Sequence, residues 1–490
     1  MTTTATPELL APELLDGKLY SSGWRQAAER CESVEPATGA VLAQVGAAGA
    51  QDVHRAARAA AAAQPAWAAR DPHDRAAIML GAIVALDDHR DELCDWLVRE
   101  AGSIPPKAQF EVDQSIKELR QAAAVAPRCA IGETVAESGE LSTAQRVPVG
   151  VVGVITPWNF PLVLAMRSLA PALALGNAVI LKCDPHTPVS GGLVLARVFE
   201  EAGLPEAVLH VLPGGAEAGA ALTTAPEVGM VSFTGSTAAG RKVGAACGER
   251  LKRASLELGG NNALIVLDDA DVEAASSSGA WASFLHQGQI CIGTGRHLVH
   301  ERVADAYLEQ LATRAARLPV GNPAVEEVAL GPIINARQHE QLRSIVSDAV
   351  AAGARVLAGG EGTAPFFAPT VLADVRPDMR AWREEIFGPV APVMTFSDDD
   401  EAIALANDTE YGLTASVFTG DLERGRRIAG ALRTGMAHIN DQSVKADPRM
   451  PFGGMGSSGN GGRFGGDASL DEFTQWRWTT ERLSPLTYPF

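Results

Sequence analysis

Four short stretches of this chain carry residue types that can do covalent or anion-binding chemistry. In FLHQGQICIGTGR, 284–296, Cys291 lies in a loop rich in Gly and Gln, with glycines at 288, 293 and 295. Glycine lets a substrate come close to the backbone and leaves N–H groups free. A cysteine nucleophile needs both that access and a donor for the oxyanion formed by its attack. In SLELGGNNA, 255–263, Glu257 ends an apolar run and precedes Gly259–Gly260. Open α/β sheets place ligands at such strand ends. In ITPWNFP, 155–161, two prolines bracket Trp158, Asn159 and Phe160. A side-chain amide beside a stiff turn makes a good oxyanion donor, although a turn-forming Asn is also common. In FTGSTAAGRK, 233–242, Gly235 and Gly240 flank a strand-to-helix turn whose helix N-terminus would face an anion. The G-x-x-x-x-G spacing approaches a P-loop, but Arg241–Lys242 replaces Lys-Ser/Thr, which excludes nucleotide triphosphate hydrolysis.

A second thiol competes for attention. ILKCDPHTP, 180–188, ends an apolar strand in Lys182, Cys183 and Asp184. A cationic neighbour lowers a thiol pKa, so these residues alone leave two candidate nucleophiles, Cys183 and Cys291.

The elements that must position these residues follow a clear rhythm. Residues 51–125 carry Ala, Leu and charged residues at helical spacing, broken near Gly102 and Pro105–Pro106. The Ala-rich run 56–63 is interrupted by Arg, Gln and Pro and predicts short helices. From 149 the pattern alternates: strands at 149–156, 177–182, 207–213 and 228–234, with helices at 162–175, 188–203, 215–224 and 236–248. That alternation predicts a parallel, doubly wound sheet. A second α/β section begins at 262–267, with strands at 296–300, 390–396 and 414–420. Two segments fit neither lobe. ELSTAQRVPVG (140–150) and FTQWRWTT (473–480) both alternate, and exposed ribbons need a partner for their edges. They are expected to pair, either inside one chain or across a subunit boundary.

With 490 residues the chain predicts two or three domains. The balance of 41 basic against 59 acidic residues argues against nucleic acid or an anionic membrane as main partner. The six cysteines form no CxxC pair, which suits a reducing, cytoplasmic setting. The first residues show neither a basic n-region nor an apolar core, so no signal peptide is expected, and no 18-residue apolar segment predicts a membrane span.

Singly these motifs are weak. Together TPWNFP, the Lys182 strand end, FTGS, ELGG, GQICIGTG, EEIFGPV (384–390) and PFGGMGSSG (451–459) occur in an order that resembles the aldehyde dehydrogenase superfamily, from about residue 20 to the end. The DP after Lys182, the HQGQIC run and HINDQSV (438–444) look most like the benzaldehyde/vanillin-type aromatic aldehyde dehydrogenases. The resemblance implies an α/β fold with a Rossmann-type cofactor domain (1–126 and 150–257), a second α/β catalytic domain (258–470) and a β-ribbon oligomerisation arm (127–149 and 471–490). It implies NAD or NADP as cofactor, an aldehyde substrate, no metal and a homodimer or homotetramer.

Carried onto this sequence, the resemblance makes Cys291 the nucleophile, so Cys183 becomes a small packing residue. Asn159 and the Cys291 N–H hold the oxyanion. Glu257, 34 residues before Cys291, activates the hydrolytic water. Ser236 meets the pyrophosphate in a turn shaped by Thr234, Gly235 and Gly240. Ile155, Thr156, Trp158 and Leu258 line the cofactor cleft, and Lys182 reaches the adenine-side ribose. Glu385 binds the nicotinamide ribose, with Phe387 near the ring. Pro185 departs from the pattern: many NAD-specific members carry a Glu there, whose carboxylate would repel a 2′-phosphate. On the substrate side stand Phe160, Leu164, Arg167 and Leu285. Arg167 and Leu285 replace frequent aromatics, and Arg167 either reads a polar substituent or, the favoured reading, pairs within the protein. The rivals are an aliphatic or semialdehyde dehydrogenase, a coenzyme-A-acylating member, a catalytically silent scaffold, and a cysteine hydrolase using His286 or His297 as base.

Overall fold

The computed structural model describes residues 8–130, 132–137 and 140–490. Of the N-terminal stretch considered above for a signal peptide, residues 1–7 lie outside the described residues. Two seven-stranded sheets and a three-stranded ribbon dominate. The first sheet runs Arg253–Glu257, Val228–Thr234, Val151–Ile155, Ala178–Lys182 and Leu209–Val211, all parallel, then two antiparallel edge strands, Lys18–Ser21 and Trp24–Gln26. The edge strands were not foreseen, because three- and four-residue runs around Gly23 carry little alternation. Strand Val151–Ile155 has its successor Ala178–Lys182 on one side and Val228–Thr234 on the other. Strand order therefore reverses beside it, and the crevice opens at the C-terminal ends of these strands. ITPWNFP and FTGS emerge there.

The second sheet runs Arg355–Ala358, Thr370–Ala373, Val390–Phe396, Thr294–His300, Asn262–Val266, Thr414–Phe418 and Met436–Ile439, parallel except for its first edge strand. Only residues 258–261 join the two sheets, between Glu257 and Asn262.

Ribbon strands Glu140–Pro148 and Thr474–Arg482 pair antiparallel over nine residues, within one chain, with Glu133–Glu137 on the outer edge. Arg146 lies 4.5 Å over the Trp476 ring and also pairs with Asp471, fixing the register. Trp478, 74% exposed, and Trp476 remain on the surface.

Two helical expectations change. The Ala-rich region forms one helix, Ala50–Ala68, that includes Pro65 instead of several short ones. Pro65 falls in the last turn, where it forgoes one bond to the Ala61 carbonyl and the helix ends three residues later. The segment expected at 188–203 begins as a π-turn, Val189–Leu193, before the α-helix Val194–Glu201. Buried Glu100 accepts from the Val189 and Ser190 N–H groups and the Ser190 hydroxyl, and so caps that turn. Gly192 lies directly against Cys183, where a Cβ would overlap the sulfur. No helix among the described residues is long and apolar enough to cross a membrane.

Candidate active site

Helix Pro161–Ala174 is buried along its whole length and starts directly after TPWNF. A helix whose polar residues are Arg167 and Ser168 alone belongs in a core, and Pro161 at its first position is preorganised for a helix start. This placement aims Asn159 and Phe160 inward. Asn159, 3% exposed, donates one amide hydrogen to the Gln289 carbonyl oxygen at 2.8 Å, which leaves the other hydrogen for a ligand. The same bond ties the proline-bracketed turn to the cysteine loop.

The cysteine loop is held by backbone geometry. His286, Gln287 and Gly288 all adopt positive φ (49°, 56° and 65°). A Cβ at Gly288 would run into the Gly388 carbonyl, so glycine is required there twice over. Gln287 donates to the Gly102 and Pro332 carbonyls at 3.0 and 2.9 Å, and Gln289 accepts from the Ile334 N–H at 3.1 Å. Asn262 donates to the Cys291 and Gly293 carbonyls at 2.8 and 2.7 Å. Those three amides were not among the residues singled out from the sequence. Their signal was present, since polar amides inside an apolar run must find partners.

Cys291 is half-buried, and its thiol is pushed up to about 12. Burial is the main cause. Arg167 pulls the value down, while Glu385 and Glu257 push it up, and the Ile292 N–H favours the thiolate. Glu257 is buried at the end of its strand, and neither of its carboxylate oxygens accepts a hydrogen bond from the described residues. Burial holds it well above the usual carboxylate range, against the pull of Arg167 and Arg463. Gly453 faces this carboxylate, and a Cβ there would stand 2.7 Å from Oε1. Glu385 accepts from the Gly260 N–H at 2.9 Å, and burial raises it to about 7. A side chain at Gly259 would overlap the Glu385 carboxylate. The structure thus gathers Cys291, Glu257, Asn159 and Glu385 from four separate segments.

Beside the thiol lies a pocket walled by Phe110, Phe160, Val163, Leu164, Ile290, Ile292, Val444 and Phe452, with Gln114, Glu118, Asn159 and Arg167 as its polar members. Leu285 packs against the same apolar cluster but does not line this pocket. It precedes the left-handed turn at His286–Gly288, and Ile290 and Ile292 take the wall positions instead. Arg167 meets Glu118 at 3.6 Å and lies 4.1 Å over the Phe452 ring, so it has its partner inside the protein while still facing the pocket. Helix Pro105–Val125 supplies Phe110, Gln114 and Glu118, none foreseen. Polar residues at helical spacing read as a solvent face in sequence, and here that face is buried.

On the cofactor side, Ser236 caps helix Thr237–Gly248 by accepting from the Ala239 N–H at 3.4 Å. Gly240 lies flat on Leu258, where a Cβ would overlap the leucine side chain. Thr234 and Gly235 form the strand end and turn before Ser236. Ile155, Thr156 and Lys182 end two neighbouring strands, and the Thr156 hydroxyl is buried without a hydrogen bond among the described residues. Lys182 is buried and has no ion-pair partner among the described residues. Trp158 packs edge-on to Phe387 at 5.6 Å. Pro185 lies half-buried just beyond Lys182. An orphaned hydroxyl, a buried lysine and a capped helix N-terminus around one crevice suit a dinucleotide with an anionic pyrophosphate and ribose hydroxyls.

The rival thiols and bases do not assemble. Cys183 is fully buried and its thiol is held above the ordinary range by that burial, which outweighs Lys182. His297 is buried between Ser283 and Tyr307, at 2.8 Å from each, and burial lowers it to about 3. His286 faces the edge of Phe160, and burial and then Lys107 hold it well below its usual value. Neither ring hydrogen-bonds Cys291.

A model of the aldehyde dehydrogenase family matches residues 24–479. The chain belongs to that family. It is 53% identical to a vanillin dehydrogenase of Amycolatopsis sp., over 98% of this chain and 99% of that one. It is 51% identical to an NAD(+)-named benzaldehyde dehydrogenase of Pseudomonas putida, over 97% and 98%. The crystal structure of a salicylaldehyde dehydrogenase from Pseudomonas putida G7, complexed with salicylaldehyde, superposes with a TM-score of 0.93 at 34% identity, covering 97% of this chain and all of that one. As an aldehyde dehydrogenase the chain is an NAD(P)-dependent oxidoreductase.

A thiol raised to about 12 is almost wholly protonated at neutral pH. Alkylation of Cys291 in the free enzyme is therefore expected to accelerate about tenfold per pH unit from pH 7 to 9. Iodoacetamide labelling, read by mass spectrometry against Cys291→Ser, checks this. A rate that levels off near pH 7 contradicts it.

Proposed function

We propose that this enzyme oxidises aromatic aldehydes to carboxylic acids, with Cys291 as nucleophile, Asn159 as oxyanion donor and Glu257 as general base. The observation that carries the substrate class is the apolar pocket beside Cys291, with Phe110, Phe160 and Phe452 in its wall. Flat aromatic faces suit a planar ring. The relatives named for vanillin, benzaldehyde and salicylaldehyde support the same reading.

The Cys291 thiol gives up its proton to solvent as the sulfur adds to the aldehyde carbon, and the carbonyl oxygen takes the negative charge. Asn159 Nδ2 and the Cys291 N–H stabilise that charge. When bound, the nicotinamide cofactor supplies the acceptor for the hydride that leaves the substrate carbon, so the adduct on sulfur becomes a thioester. Thr156, Ser236, Lys182, Glu385 and Phe387 would hold it, with Ile155, Trp158, Thr234, Gly235, Gly240 and Leu258 shaping the cleft. Glu257 then takes a proton from water as the water attacks the thioester, and the Cys291 thiolate leaves. A buried carboxyl with a raised pKa is suited to that duty near neutral pH. Phe160, Leu164 and Arg167 contact the ring, and Leu285 supports them from behind.

The cofactor-binding part spans 1–126 and 150–257, the catalytic part 258–470 and the arm 127–149 and 471–490. The exposed Trp476 and Trp478 suggest that the arm buries itself against another copy, in a dimer or tetramer. Six free cysteines fit a cytoplasmic enzyme.

Four measurements test this. On a panel of aldehydes, benzaldehyde-like substrates are expected to give the highest kcat/KM. Turnover of only short aliphatic aldehydes or ω-carboxy semialdehydes would overturn the substrate class. In the same panel Glu257→Gln should give one burst of reduced cofactor and then stall as the thioester accumulates, and an undiminished steady state would remove Glu257 from the base role. With Pro185 in place of an acidic residue, NADP should be tolerated beside NAD. A preference for NAD above ~1000-fold, about 4 kcal/mol, contradicts that. By sedimentation the protein should be a dimer or tetramer that Trp478→Glu shifts to smaller species, and a monomeric wild type would rule the arm out.

A further inference from the structure

Asn159 lies two residues before helix Pro161–Ala174, and that helix start lacks its ordinary cap. Phe160 stands at the cap position, has no side-chain acceptor and makes no capping bond. Pro161 has no N–H. The next two N–H groups, of Leu162 and Val163, donate across the molecule to Glu111 Oε1 at 2.8 and 3.2 Å. Orphan N–H groups of a first turn must find an acceptor, and here it comes from another helix.

The other Glu111 oxygen, Oε2, accepts from Lys107 Nζ at 2.5 Å, one helical turn away. Lys107 Nζ also donates to the main-chain carbonyl of Asn159 at 2.9 Å and lies 4.1 Å over the Phe160 ring. The Lys107 side chain is 1% exposed and that of Glu111 is fully buried. Taking two such charges out of water is costly and is offset only when geometry and added hydrogen bonds are good. Among the described residues, every hydrogen bond of these two side chains, apart from the one to each other, goes to the backbone of residues 159–163.

We propose that Lys107 and Glu111 are positioning residues for the oxyanion site: Lys107 pins the Asn159 carbonyl, Glu111 pins the helix start behind it, and together they fix the angle at which the Asn159 amide meets the substrate oxygen. The inference rests on Asn159 being the oxyanion donor. It separates two functions of one residue. The Asn159 side chain is tied to the cysteine loop through Gln289, and its main chain is tied to helix Pro105–Val125 through Lys107. Two anchors on one residue leave its amide little freedom, which is what preorganised charge stabilisation requires.

The test is a double-mutant cycle read on the pre-steady-state rate of cofactor reduction with the best aldehyde of the panel. Asn159→Ala is expected to lower that rate about 100-fold or more, the usual cost of a lost oxyanion donor. Lys107→Met keeps the stem over Phe160 and removes the donor, and it should lower the rate ~10–100-fold while both KM values stay within ~3-fold. In the Asn159→Ala background the same substitution should cost less than ~3-fold, because its effect passes through the amide already removed. Equal losses in both backgrounds, or a rise in both KM values without loss of rate, would show a merely structural pair and overturn the proposal. Glu111→Gln keeps an acceptor for Leu162 and Val163 and should show a smaller loss with the same non-additivity. It carries the test if Lys107→Met does not fold. An Asn159→Ala enzyme of full rate would instead remove the oxyanion reading itself, a result distinct from additivity in the cycle.

Discussion

The four residues Leu258–Asn261 are the constraint on which the rest of the site depends. They carry the chain from the last strand of the first sheet to the first strand of the second. So short a link fixes how far Glu257, at one end, can lie from Asn262, at the other. Asn262 in turn holds the cysteine loop through the Cys291 and Gly293 carbonyls. Glu257 and the Cys291 loop are thus attached to two different sheets, yet their spacing is set by a turn. Gly259 and Gly260 belong in that turn for steric reasons: one makes room for Glu385, and the other approaches the Cys291 carbonyl so closely that a Cβ would stand 2.7 Å away.

Desolvation governs the chemistry of this junction. Burial is the largest influence on Cys291, on Glu257 and on Glu385, and in each case it favours the neutral form. Arg167 is the cation that opposes it at both the thiol and the Glu257 carboxyl. Its pairing with Glu118 and its stacking on Phe452 hold that charge in place at the pocket wall. A substitution at Arg167 would therefore alter pocket shape and site electrostatics together, and the two effects belong to one side chain.

Helix Pro105–Val125 is the least expected contributor. It presents Lys107, Glu111, Gln114, Ser115 and Glu118 to the interior, all buried. Removing one partner from a buried ion pair costs about 3–5 kcal/mol, so this stripe commits the helix to its place against Pro161–Ala174. Fold and site are coupled at that contact, since the residues that hold the helix pair together also touch the turn bearing Asn159 and the pocket beside Cys291.

The sequence by itself determined the alternation of strands and helices between 149 and 248, four of the later strands and the family, and it supplied the candidates for nucleophile, base and oxyanion donor. Those signals are local: periodicity, turn residues, and motifs a few residues long. It also placed the two ribbon segments as partners, and the structure joins them within one chain. The short N-terminal edge strands were hidden because runs of three or four residues have no readable period. The roles of Lys107, Glu111, Gln114 and Glu118 were hidden for a different reason. A polar residue at helical spacing looks the same in sequence whether its face meets water or another helix. Only tertiary packing decides which, and with it whether a side chain is solvated or must find its partner within the site.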